Sequence, residues 1–130
     1  MRLSDIPNIN LISVQKGTAM NDYRRNSQYR EIMPSLGERI KTFADTVDIL
    51  SQIDLLITTD TAPLHVGGAL GVPTWGLLHV SADWRWFTKT LCPDYSPWYE
   101  SVRIYRQKEP KNWDDVIEIV KSDLKKIISD

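Results

Sequence analysis

The chain has 130 residues, a formal net charge of −1 and one cysteine. That length predicts a single domain around one core, and the near-neutral charge gives no reason to expect nucleic acid or an anionic membrane as partner. The lone Cys92 excludes an internal disulfide framework, fits a reducing compartment and reads as a packing residue, while no apolar run approaches the length of a membrane span.

Residues 1–7 are too few to hold much structure and read as the remnant of a helix and turn. No apolar segment follows Arg2, so no signal peptide is expected and a cytoplasmic setting is. Residues 10–14, NLISV, are the first strand candidate, ending in Gln15, Lys16 and Gly17. Lys16, beside a glycine at a strand's carboxyl end, has the reach of a flexible point charge for phosphate. Taken by itself it reads more readily as a solvated lysine in a βα loop. Residues 21–33 are polar and basic, with Arg24, Arg25 and Arg30, and suggest a short surface helix or an irregular loop with a solvated face. Pro34, Ser35 and Gly37 mark a turn, and residues 39–41 suggest a short edge strand. Thr42 then caps a helix, with Asp45 three residues on in a capping-box pattern. Phe43, Val47, Leu50 and Ile53 recur every three or four residues, an apolar stripe that should pack on a sheet.

The chain is organised around residues 54–78, DLLITTDTAPLHVGGALGVPTWGLL. Leu55, Leu56 and Ile57 form an apolar run of strand length that ends in Thr58, Thr59, Asp60 and Thr61. Asp60 or Thr61 suits an N-cap, because a short side-chain oxygen can accept an unpaired first-turn N–H. Pro63 falls in the first helical turn and Gly71 where a C-cap glycine belongs. Residues 72–78 are again apolar and strand-like. A strand, helix, strand order with short connections predicts a βαβ unit with parallel strands. The segment from Asp60 to His65 then lies at a strand's carboxyl end and a helix N-terminus, where open α/β sheets bind ligands and where free N–H groups suit phosphate. Thr61 and His65, four apart, share a helical face. Gly67, Gly68 and Ala69 allow the helix a close approach to the sheet. As plain structure, Asp60 and Thr61 are only caps and His65 a packing residue.

Residues 79–101 form a long connection holding Trp84, Trp86, Phe87 and Trp98, with prolines at 93 and 97. A loop this long inside a compact domain is usually functional or disordered, and its aromatic content argues for order. Trp84, Arg85 and Trp86 suit a wall beside a ligand cleft, since indoles pack on sugars and bases; the same rings also serve to anchor a loop. Residues 102–105 read as a last strand. Asn112 caps a final amphipathic helix with Trp113, Val116, Ile117, Val120, Leu124, Ile127 and Ile128 along one face.

Taken together, Asp60–Thr61 followed by His65, then Gly68, Ala69, Leu70, Gly71 and Pro73, then Asp83-Trp84-Arg85-Trp86, Ser96-Pro97-Trp98-Tyr99 and Arg106–Gln107, form a specific combination. It resembles the glycosyltransferase-like domain at the end of many bacterial tetratricopeptide-repeat proteins. That domain is similar to the lipopolysaccharide heptosyltransferases, whose GT-B fold has two Rossmann-like lobes. Ser13, Gln15, Lys16 and Gly17 look like that family's strand ending in Gln-Lys-Gly, so the resemblance runs from about Ile12 onward. It implies an α/β, Rossmann-like open and mainly parallel sheet with flanking helices, spanning residues 1–130 as an incomplete GT-B C-terminal lobe. It also implies a site for a nucleotide-diphosphate-sugar donor, with no other cofactor; separately, two histidines and one cysteine at these spacings do not make a zinc site, so no metal is expected. Thr61 and the Ala62 N–H would bind phosphate, Asp60 would accept from a sugar hydroxyl, His65 would face the same ligand and Lys16 would offset phosphate charge, beside the wall of Trp84 and Arg85.

The family's acceptor lobe, with its general base, and the glycine-containing strand ahead of residues 10–14 are expected to be absent. The remaining strands must then close the gap, pair with another copy or leave an edge exposed. The leading expectation is a donor-binding half of a glycosyltransferase-like protein, inefficient by itself, with a first-lobe or tetratricopeptide-repeat partner or self-association. The alternative is a non-catalytic interaction or structural module. An α/β enzyme using Asp60 and His65 as an acid–base pair ranks lower, because no nucleophile motif accompanies them.

Overall fold

The computed structural model describes residues 3–82, 84–87, 91 and 94–130. Asp83 of the resemblance motif, Cys92 with its packing role, Pro93 and the first two residues lie outside the described set.

The centre is a three-stranded parallel sheet in the order β1 (Leu56–Thr59), β2 (Thr74–Leu78), β3 (Val102–Arg106). Before β1 come the short helices α1 (Met20–Arg25) and α2 (Ser27–Ile32), and then α3 (Phe43–Leu50). Between β1 and β2 runs α4 (Ala62–Leu70), and α5 (Asp114–Ser129) closes the chain. This is an open α/β sheet flanked by helices, of the Rossmann-like kind expected. The central strand β2, TWGLL, is buried along its whole length, which is what a parallel strand covered on both faces requires.

Period-two alternation along the strands divides the core. Trp75, Leu77 and Tyr105 pack with Val116, Val120 and Leu124 of α5 and with Ile6. On the opposite face Leu64 of α4, Leu78, Val102, Ile104 and Trp86 form a second cluster. The α4 helix is seated closely, for a Cβ on Gly67 would lie 2.7 Å from Thr74 Oγ1. Gly71 ends it in the left-handed conformation, φ 73°, and the Val72 N–H donates to the Gly67 carbonyl, a Schellman-type stop. Gly68 departs from expectation, since its close neighbour is the ring of Tyr99 rather than the sheet, and Ala69 is exposed.

The capping box of α3 is formed, with Thr42 Oγ1 accepting from the Asp45 N–H and the Asp45 carboxylate accepting from the Thr42 and Lys41 N–H groups. Those backbone donors hold the Asp45 carboxyl below its ordinary range. At the other end of the chain, Asn112 Oδ1 accepts from the Asp114 N–H at 3.1 Å, so Asn112 supplies the capping bond although Trp113 is the residue flanking the helix.

Four expectations need correction. Residues 10–14 are not a strand of the sheet; only Ser13 pairs, in parallel with Ser35. The Ser13 N–H donates to Pro34 and its carbonyl accepts from Leu36. The ladder stops on one side because Pro34 has no N–H to donate back, and on the other because the Gln15 N–H turns to Ser13 Oγ. Residues 39–41 are not an edge strand, since Gly37–Arg39 forms a 3-10 turn. Phe43 leaves the stripe of α3 and Ile127 that of α5; both are exposed, at 69% and 57%. Among the described residues β1 has a strand neighbour on one side only.

Candidate functional site at the carboxyl end of β1

The site is built by the abrupt change from β1 to α4. Thr59 ends the strand, Asp60 makes the turn, and Thr61 flanks the helix in extended conformation. The Thr58 and Thr61 hydroxyls lie 3.2 Å apart and both reach the Thr59 carbonyl, at 3.2 and 3.3 Å. Thr61 is therefore the N-cap residue by backbone conformation, but its side chain caps no N–H, and neither does Asp60. The sequence expectation of a side-chain cap is not met, although the N-cap position itself falls on Thr61 as expected. Within the helix end, the Leu64 N–H donates to the Thr61 carbonyl and Pro63 has no N–H. The Ala62 N–H has no partner among the described residues, which leaves a backbone donor at the positive end of the helix dipole.

His65, one turn into α4, returns toward the same turn. Its Nε2 lies 3.7 Å from Asp60 Oδ1 and its Nδ1 lies 3.1 Å from the Tyr99 hydroxyl. The imidazole stacks on Trp86 at 5.5 Å between centroids and meets the Tyr99 ring edge-on at 5.9 Å. Trp86 is fully buried, so the stack is part of the core, whereas about a third of the Asp60 and His65 side chains is exposed, at 31% and 35%. The cluster thus offers a carboxylate, two hydroxyls, an imidazole and a free backbone N–H on one exposed turn, above an apolar floor.

The other expected site residues lie elsewhere or face differently. Trp84 is 73% exposed and carries the Arg85 guanidinium over its ring at 5.6 Å. The Arg85 carbonyl accepts from Trp98 Nε1 at 2.7 Å, and Trp98 stacks on Phe87. The rings that meet His65 are Trp86, one of the three residues expected as a wall, and Tyr99, for which the sequence suggests no role in the site. Tyr99 lies 34 positions beyond His65, and the signals for it were the aromatic richness of the loop and the Ser96-Pro97-Trp98-Tyr99 motif. Lys16 lines a 480 Å³ depression with Gly17, Met20, Arg24, Glu38 and Lys41, and its charge acts on Asp45. None of those residues belongs to the cluster around Asp60. A second depression, of 710 Å³, lies between the end of α4 and the segment from Trp98 to Ser101, with Tyr99 in its wall.

Among the described residues no group of three or more histidine, cysteine or acidic side chains is placed to share a metal ion, and no helix is long and apolar enough to cross a membrane. Set against protein-family models, curated proteins and solved structures, the chain finds no match in any of the three.

Proposed function

We propose that the chain is the nucleotide-diphosphate-sugar-binding half of a glycosyltransferase-like, heptosyltransferase-related protein. The observation that carries this reading is the convergence of the open Ala62 N–H, the Thr58–Thr61 hydroxyl pair, Asp60 and His65 at the carboxyl end of a parallel strand. Phosphate goes to the Ala62 N–H and Thr61, and a sugar hydroxyl to Asp60 and His65. The resemblance has Lys16 offset diphosphate charge and Trp84 with Arg85 flank the donor, but Lys16 lies in the depression beside Arg24 and Lys41, outside the cluster at Asp60, so the reading rests on the cluster without them. Fixed donors at a helix terminus stabilise the negative charge that grows on a diphosphate as the glycosidic bond breaks, which is how such a site would promote transfer. Transfer itself requires an acceptor lobe, from a partner or another part of a longer chain. A cytoplasmic setting goes with the single cysteine.

Thermal-shift and calorimetric titration of the chain with UDP-, ADP- and GDP-sugars tests the proposal. Saturable binding by one nucleotide class, with a rise in melting temperature that is lost in Thr61→Ala, is the expected result. Lys16→Ala asks separately whether the lysine takes part. A second reading, a non-catalytic interaction module, is favoured by the exposed Trp84, Phe87, Leu91, Tyr95 and Trp98 within one segment. A folded chain that binds none of the nucleotide sugars would select it.

A further inference from the structure

We infer that the depression between the end of α4 and the segment from Trp98 to Ser101 is a docking site for an arginine side chain carried by a partner polypeptide. It lies at the opposite end of α4 from Asp60, and it does not rest on the nucleotide-sugar reading.

The way the sequence ends α4 leaves two backbone acceptors over. The Val72 and Gly71 N–H groups donate to the Gly67 and Gly68 carbonyls. The donor that would serve the Ala69 carbonyl in a longer helix belongs to residue 73, which is a proline. The donor for the Leu70 carbonyl belongs to Thr74, whose N–H goes instead to the Ser101 carbonyl at 3.0 Å. Among the described residues neither carbonyl accepts a hydrogen bond, and both stand at the negative end of the helix dipole. The facing wall adds two more acceptors. Glu100 is exposed and forms no ion pair among the described residues. The Ser101 hydroxyl is screened from solvent and has no hydrogen-bond partner.

Trp98 supplies the aromatic side. Its Nε1–H donates to the Arg85 carbonyl at 2.7 Å and its ring stacks on Phe87, yet the residue is 55% exposed. The indole is therefore held in place with ring surface to spare. Helix-end carbonyls, a carboxylate and an indole all favour positive charge, and no residue of the wall carries one. A planar guanidinium meets all three, with its flat face on the indole and its N–H groups on Glu100 and the open carbonyls. A lysine ammonium has no plane to stack. The chain builds this arrangement for itself on the other face of the sheet, where the Arg103 guanidinium lies 4.9 Å from the centre of the Tyr105 ring and 3.1 Å from the Asp123 carboxylate. At the depression the ring and the carboxylate are present and the cation is not. The volume of 710 Å³ exceeds what one guanidinium fills, and the exposed Leu70 offers apolar surface to the methylene stem and to flanking residues. The fitting partner is thus a polypeptide segment and not a free guanidino compound.

The test titrates the intact chain, labelled with 15N, with three capped tripeptides, Gly-X-Gly, in which X is arginine, lysine or citrulline. Citrulline has the shape of arginine without its charge. The readout is the indole N–H signal of Trp98, assigned by its loss in Trp98→Phe. The expected result is a saturable shift with the arginine peptide, with a Kd of about millimolar for one exposed contact, a weaker response to lysine and none to citrulline. Glu100→Gln, a surface change that leaves the core intact, should weaken the arginine peptide about fivefold. An equal response to citrulline, an affinity unchanged in Glu100→Gln, or no saturable shift with the arginine peptide would each overturn the inference. A chain that binds no nucleotide sugar would remove the proposed function and leave this result standing.

Discussion

The two faces of the sheet each carry a tyrosine joined to a carboxylate and a cationic or potentially cationic side chain, and they differ in how completely they are satisfied. On the α5 face the Tyr105 hydroxyl donates to Asp123 at 2.9 Å, Arg103 reaches the same carboxylate oxygen at 3.1 Å, and Lys126 the other at 3.5 Å. The Arg103 guanidinium also lies over the Tyr105 ring, which leans on Trp75. Tyr105 and Asp123 are buried. On the α4 face the Asp60, His65 and Tyr99 chain is half-buried, and the link between its first two members is too long to be a direct bond. A closed network of the first kind fixes an element to the sheet, because every buried polar group has its partner. The second keeps unused hydrogen-bonding capacity where solvent can reach it, which is what a binding site needs.

That contrast can be broken most forcefully at Trp86, the buried floor beneath His65. Trp86→Ala should lower unfolding free energy by about 4 kcal/mol, as removal of a fully buried indole does, and should free the imidazole as well. Urea denaturation gives the first effect and the His65 ring-nitrogen spectrum the second. Next in size is Asp123→Ala, which leaves the Tyr105 hydroxyl and Arg103 without their shared acceptor. A cost of about 3 kcal/mol is expected in the same denaturation experiment. Ligand titration should be unchanged, since this network serves the fold. A comparable loss of binding would show that the two faces are coupled.

The smallest effect is seen in alkali. Burial first, and then the hydrogen bond to Asp123, pushes the Tyr105 phenol well above its ordinary 10.0. The folded protein therefore holds a proton that the unfolded chain releases. This contribution is complete below about pH 10 and is lost as pH rises beyond it, with a slope of up to about 1.4 kcal/mol per pH unit for one proton. Unfolding free energy measured between about pH 9 and pH 11 should show this fall. In Tyr105→Phe that part of the slope should vanish. If the slope persists, another group gives rise to it.

Much of the fold was legible in the sequence wherever local rules and burial agree. The capping box at Thr42 and Asp45, the glycine stop at Gly71 and the apolar runs of β1, β2 and β3 each state their structure within a few residues. The first strand candidate was misread because pairing depends on the partner. NLISV has the composition of a strand, yet Pro34 and the Ser13 hydroxyl end its ladder after one bridge. Phe43 and Ile127 fit helical periodicity but face solvent, because periodicity names a stripe and only the neighbouring layer decides how far it is covered.

The site divides in the same way. Sequence alone determined that Asp60, Thr61, Ala62 and His65 meet at a strand's carboxyl end, because a βαβ unit with short connections allows little else. Tertiary structure alone decided that Trp86 and not Trp84 lies under the imidazole, and that Tyr99 meets its Nδ1. The physical reason is one of range. Helix ends and turns are fixed by bonds between residues a few positions apart, whereas a ring stacked across the core depends on how the long loop after β2 lies over α4.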